Sequence, residues 1–223
     1  MSTVLNIAHR GFHKNCPDNT LEAFEAAIQL GADGIELDVH ETAEREFIVF
    51  HDPKIKGTDI ARLSLGDIKN IKLQDTFEIP TLEQVLELCR KRTKLLVELK
   101  KAQSLDKFLE LLEAKVEPND VTVISFDKDI ISELWFLAPE VQKGSITALP
   151  LVDPVKLAQS LHCNSIVVKF PFVNERLVEK ARLQNLSIFV WGCHDMKAVR
   201  KMLTLDIDGI ISDFPDQVRE ALG

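Results

Sequence analysis

Eight short apolar runs and eight amphipathic segments take turns along this chain, and that alternation constrains the fold more than any other feature of the sequence. The runs are VLNIAH (4–9), GIELDVH (34–40), KLLVELK (94–100), VTVISF (121–126), QKGSITAL (142–149), SIVVKF (165–170), SIFVWG (187–192) and GIISDF (209–214). Each is rich in Val, Ile and Leu and short, the pattern of a strand covered on both faces. Between them lie segments such as TLEAFEAAIQLG (20–31), TLEQVLELCRKR (81–92), LDKFLELLEAKV (105–116) and NERLVEKARLQN (174–185), with DIISELWFLA, VKLAQSLH, MKAVRKMLT and DQVREAL in the remaining gaps. Their apolar residues fall three and four apart, as on helices facing a core. Strands alternating with helices imply a parallel sheet with an outer helical layer. Eight such units predict an α/β fold of the (β/α)8 TIM-barrel type, with residues 1–223 forming a single domain.

One interval breaks the alternation. After GIELDVH the next main strand waits until Lys94, which leaves a short insertion at about 41–80 after the second strand. Within it EFIVFHD (46–52) predicts an extra short strand or hairpin ending at His51, followed by an irregular loop through Gly57 and Thr58. Such loops at the carboxyl ends of barrel strands are where active sites are built.

Composition removes several function classes. The formal net charge of −8 argues against nucleic acid or an anionic membrane as the main partner. A small anionic substrate remains compatible, because a local cationic pocket can oppose the global sign. Four cysteines without CxxC spacing read as reduced thiols in a cytoplasmic protein, and a chain of 223 residues needs no disulfide to hold its core. There is no basic leader and no apolar run of bilayer-spanning length, so neither a signal peptide nor membrane insertion is expected. The sequence assigns no oligomeric state.

The strand ends carry the chemistry. The first ends in His9 and Arg10, the second carries Glu36 and Asp38, EFIVFHD ends near His51, the third carries Glu98 and Lys100, and the seventh ends at Trp191. Side chains two apart share a face, so Glu36 points with Asp38 and Glu98 with Lys100. Converging carboxylates either share a proton or surround a cation. Oxygen ligands without a thiolate favour one divalent cation, Mg²⁺ or Ca²⁺, over zinc. Carboxylates, a hard metal and the cations Arg10 and Lys100 in one pocket suit a phosphate ester. His9 and His51 then serve as a general acid/base pair, since imidazole titrates near neutral pH. Trp191, above the pocket, is placed to pack against substrate carbons.

The ordered set AHRG, PDNT, ELDV, FHD, VELK, SF, W and SDFP, running from Ala8 to Pro215, resembles the glycerophosphodiester phosphodiesterase family. The resemblance implies a metal-dependent (β/α)8 barrel that hydrolyses a small-molecule glycerophosphodiester to glycerol 3-phosphate and an alcohol. It implies His9 and His51 as acid and base, Glu36, Asp38 and Glu98 as metal ligands, and Arg10 and Lys100 as phosphate-binding cations. The first loop departs from the family in Asp18, one methylene shorter than the more frequent glutamate, and GCHD (192–195) stands where Thr-Val-Asn is usual. The insertion is short, as in compact bacterial members. A lysophospholipase D-like lipid phosphodiesterase and a non-catalytic barrel that binds metal and phosphorylated ligands are the alternatives. Among the remaining residues, Asn19 or Thr20 is expected to cap a helix, Asp213 to orient Arg10 or cap the last helix, and His13, His162 and His194 to lie on the surface.

Overall fold

The computed structural model describes residues 4–149 and 151–223. The eight expected runs form eight strands: β1 (Leu5–His9), β2 (Gly34–Glu41), β3 (Lys94–Lys101), β4 (Val121–Ser125), β5 (Gln142–Thr147), β6 (Ser165–Lys169), β7 (Ser187–Trp191) and β8 (Gly209–Ser212). Each pairs in parallel with the next, and β1 pairs with both β2 and β8, which closes the ring into a TIM barrel. Closure leaves no free edge among these strands. The helices α1 (Leu21–Leu30), α2 (Leu82–Cys89), α3 (Leu105–Lys115), α4 (Lys128–Leu137), α5 (Pro154–Ser160), α6 (Glu175–Arg182), α7 (Met196–Met202) and α8 (Pro215–Leu222) fill the intervals between strands.

Two apolar layers follow from the strand period. Outward residues such as Ala8, Leu37, Val97, Val123, Ile166 and Val190 pack under the helices in the main core. Inward residues make a second cluster, with Ile7, Leu96, Ile124, Ile146, Val167, Phe189 and Ile211 each supplied by a different strand. Seven strands thus plug the barrel with an apolar side chain. The eighth, β2, contributes Glu36 instead, buried at 2% exposure. A carboxylate in the packed interior is costly unless a partner compensates it, so this position marks where the barrel departs from pure packing.

The insertion is more ordered than an irregular loop. Phe47–Val49 pairs antiparallel with the end of β2, so the extra strand stops two residues before His51. Two hairpins of two-residue strands follow (Lys54–Ile55 with Thr58–Asp59, Lys72–Leu73 with Phe77–Glu78), with a short helix at Leu65–Lys69 between them. Ser64 starts that helix with a capping box to Asp67. Ile48, Ile55, Ile60, Ile68 and Ile79 form a separate small core beneath it. Strands of two residues are too short to show any period, which is why the sequence did not reveal them.

The four cysteines are free. Burial pushes the thiol of Cys89 up to about 12 and those of Cys163 and Cys193 up to about 11, so all three are protonated packing groups. Among the described residues, no helix is long and apolar enough to cross a membrane.

Candidate active site

The β1–α1 turn fixes the first group of side chains. Gly11 has φ +84°, and a Cβ there would lie 2.7 Å from the backbone of Ala23 in α1, so only glycine lets the chain turn this close to the helix. The turn leaves Arg10 with φ 55°, its N–H donating to the Glu36 carbonyl at 2.8 Å. Thr20 takes the N-cap of α1, accepting from Ala23 N, which frees Asn19 for another task. Asn19 Nδ2 donates to Asp38 Oδ2 at 2.8 Å while Asp38 N donates back to Asn19 Oδ1 at 3.3 Å.

Strand register then brings the acids together. His9 lies opposite Glu36 and Asp38 opposite Glu98. Ligand oxygens of Glu36, Asp38 and Glu98 lie within 4.8 Å of one another, all buried. Burial is the largest influence on Glu36 and, with the charges of Asp38 and Glu98, pushes its carboxyl well above the usual range. Burial also raises Glu98, against the pull of Lys100. At Asp38 burial is outweighed by Lys100 and Arg10, and the group sits below its ordinary value.

Both cations face these acids. Lys100 Nζ is 2.8 Å from Asp38 Oδ1 and 2.5 Å from Glu98 Oε1. Arg10 Nε is 3.0 Å from Asp38 Oδ2, and its Nη1 donates to Asp18 Oδ2 at 3.0 Å. The shorter Asp18 therefore still reaches the arginine. Asp38 Oδ2 is served by Asn19 and Arg10, whereas the buried Oδ1 faces Lys100 Nζ at an angle that leaves it short of an aligned hydrogen bond. An underserved anionic oxygen beside two more carboxylates is the donor set a hard divalent cation takes. The three acids fit such an ion.

His9, Arg10, Glu36, His51, Glu98, Lys100 and Trp191 line one cavity of about 130 Å³, floored by Ile124, Ile146, Val167 and Ile211 from the apolar plug. His9 Nε2 lies 3.8 Å from Glu36 Oε2. His51 Nδ1 contacts Asp52 Oδ1 at 2.8 Å on the more exposed side. Phe126 also lines the cavity and meets Trp191 edge-on, ring centroids 6.0 Å apart. The other face of the wall is set by Lys169, whose Nζ is 5.1 Å from the Trp191 ring. Phe172 lies in a separate groove with Leu149 and Leu177.

Other side chains brace the elements around the cavity. His40 is buried and its Nε2 meets the His51 carbonyl at 3.1 Å, so it supports the insertion strand's exit. Ser125 Oγ donates to the Leu99 carbonyl and accepts from Asp127 N, which shapes the β4–α4 turn. Among the described residues, Asp213 neither pairs with Arg10 nor caps α8. Its Oδ1 lies 2.6 Å from His9 Nδ1 and 3.5 Å from His13 Nε2. His13 is accordingly half-buried rather than a surface residue. The signals for Asp213 in the sequence were its place at the end of the eighth run, where barrel sites lie, and its membership of the SDFP motif.

A family model described as the glycerophosphoryl diester phosphodiesterase family matches residues 9–217. A glycerophosphodiester phosphodiesterase of Caldanaerobacter subterraneus subsp. tengcongensis is 32% identical, the alignment covering 96% of this chain and 95% of that protein. One of Bacillus altitudinis is 31% identical over 94% of each. The crystal structure of the glycerophosphodiester phosphodiesterase from Thermotoga maritima superposes with a TM-score of 0.84 at 27% identity, covering 99% of both chains.

Proposed function

The chain belongs to the glycerophosphoryl diester phosphodiesterase family, and from that premise we propose how its cavity hydrolyses glycerophosphodiesters to glycerol 3-phosphate and an alcohol. The observation that carries the reading is the convergence of His9, Arg10, Glu36, His51, Glu98 and Lys100 on one cavity, with Asp38 completing the acid cluster. Residues 1–223 act as one barrel domain.

Glu36, Asp38 and Glu98 hold one divalent cation, Mg²⁺ or Ca²⁺, which when bound stabilises negative charge on the phosphoryl oxygens. Arg10 and Lys100 bind the phosphate. Lys100 spans Asp38 and Glu98, and its flexible stem lets the ammonium turn to the substrate. Arg10 is braced by Asp18 and Asp38, which keeps its fork oriented at the cavity mouth. One imidazole of the His9 and His51 pair removes a proton from the nucleophile, either water or the substrate's own 2-hydroxyl, and the other protonates the departing alkoxide; where the hydroxyl attacks first, water then opens the cyclic phosphate. Trp191 packs against the glycerol carbons. The free thiols support a cytoplasmic location.

The test is turnover of glycerophosphocholine by the purified protein with Mg²⁺ or Ca²⁺, read as released glycerol 3-phosphate. His9→Ala and His51→Ala are each expected to lose roughly 10²–10⁴-fold in kcat. Full activity in both variants removes the histidines from the mechanism, and preference for a monoacyl diester over the deacylated one moves the reading to a lysophospholipase D-like enzyme.

A further inference from the structure

His9 and His51 are not equivalent bases. Each has its Nδ1 against a carboxylate, but the settings differ. Asp52 is the next residue after His51, and both side chains are largely in water, at 43% and 68% exposure. Solvent screens that contact, and the pair is free to part. Asp213 comes from the far end of the chain, 204 residues from His9, and makes the shorter contact of 2.6 Å. Its position is set by the barrel itself. Ala8 on β1 is in register with Ser212, the last residue of β8, so His9 and Asp213, the residues that follow them, emerge side by side at the same rim. Ser212 Oγ accepts from Phe214 N at 3.1 Å and holds the turn that follows.

We propose that Asp213 is a positioning residue for His9, holding its imidazole as the Nδ1–H tautomer so that Nε2 is the atom that exchanges a proton with substrate. This rests on the reading above that His9 moves protons in the reaction. An ionised carboxylate has no hydrogen to give, so the short contact requires Nδ1 to carry the proton. The two ring nitrogens face different ways. With Nδ1 against Asp213, Nε2 is directed to the cavity, 3.8 Å from Glu36 Oε2. When Nε2 takes a proton, the ring becomes an imidazolium whose charge Asp213 already faces. When Nε2 gives it up, the ring returns to the same tautomer without rotating.

His13 contributes to the same device. Its Nε2 is 3.5 Å from the oxygen that His9 uses. The His13 and His9 imidazoles together hold the Asp213 carboxyl far below the usual carboxylate range, so it is an ionised acceptor at neutral pH. Burial of the carboxyl, which opposes this, is the weaker influence.

Two measurements test the proposal. Long-range ¹H–¹⁵N correlation on ¹⁵N-histidine-labelled protein without substrate, at a pH where the rings are neutral, is expected to show His9 as the Nδ1–H tautomer. Asp213→Asn and Asp213→Ala, which remove the obligate acceptor, are expected to lose that tautomer. With the metal-loaded enzyme and glycerophosphocholine, both variants are expected to lose about 10²-fold or more in kcat while KM stays within about threefold, because the effect falls on proton transfer and not on binding. An Nε2–H tautomer for His9 in the unaltered protein overturns the proposal even if no variant folds. So does a folded Asp213→Asn enzyme whose kcat is within about threefold of the unaltered one. If the unaltered protein turns over no glycerophosphodiester, the functional reading fails while the tautomer measurement still decides the role of Asp213.

Discussion

His13 Nε2 lies 3.5 Å from the Asp213 carboxylate at the cavity rim, and its proton has a consequence for stability. The facing Asp213 carboxylate outweighs burial and, with the charge of Asp18 set against that of Arg10, raises the imidazole above its ordinary value. A folded state that binds a proton more tightly than the unfolded chain gains stability where both are protonated relative to where neither is. The contribution is therefore complete below about pH 6.5 and is lost as pH rises through the raised folded value. His13→Ala is expected to lower stability by about 1 kcal/mol in mild acid, roughly 2–4 °C in Tm, and by much less near pH 9. Thermal melts of both proteins across that range check it, and a pH-independent difference refutes it. At this scale the sequence spoke unevenly. His9, Arg10, Glu36, Asp38, Glu98 and Lys100 were legible because strand period and strand-end position fix which face they share. Asn19 and Asp213 were not, since their partners Asp38 and His9 lie 19 and 204 residues away and no local pattern records a side-chain contact across a closed ring.

The eight barrel strands could be read from sequence because each is buried on both faces and shows as an unbroken apolar run. The insertion could not, since it is built from two-residue strands and a five-residue helix held together by five isoleucines. Yet this element delivers His51. Phe50 N donates to the Asp38 carbonyl at 2.9 Å, the His40 ring meets the His51 carbonyl, and Ile60 N donates to the Pro53 carbonyl at 3.0 Å. The turn bearing His51 is thus pinned between β2 and the small core. Ile60, almost fully buried in that core, is the place to test the linkage. Ile60→Ala is expected to cost about 2–5 kcal/mol through lost burial and the cavity left behind, and to lower kcat as the turn carrying His51 loosens. Denaturant unfolding and steady-state kinetics report the two effects separately. A large loss of stability with unchanged kcat means the small core supports the barrel but does not place His51.

Across the whole molecule, the closed barrel stabilises a site that works against it. Seven strands fill the interior with apolar side chains and the eighth supplies Glu36, whose charge is suppressed by burial and by Asp38 and Glu98. Removing that charge should ease folding of the metal-free protein, while removing a ligand should abolish the response to metal. These effects have opposite signs, which makes Glu36→Gln a discriminating variant. For the unaltered protein, a divalent ion at a hundredfold excess over its Kd adds about 2.7 kcal/mol, or roughly 5–10 °C in Tm at this chain length. Glu36→Gln is expected to melt no lower than the unaltered protein without metal, and to show less than about a quarter of that shift when Mg²⁺ or Ca²⁺ is added. Differential scanning calorimetry with and without each ion measures both quantities without reference to turnover. A variant that keeps the full shift shows that Glu36 is not a ligand. One that melts well below the unaltered protein shows that its carboxyl group contributes a structural hydrogen bond that the amide cannot replace. Only if the variant keeps its stability and loses its response does the buried acid cluster owe its place in the barrel to the ion it binds.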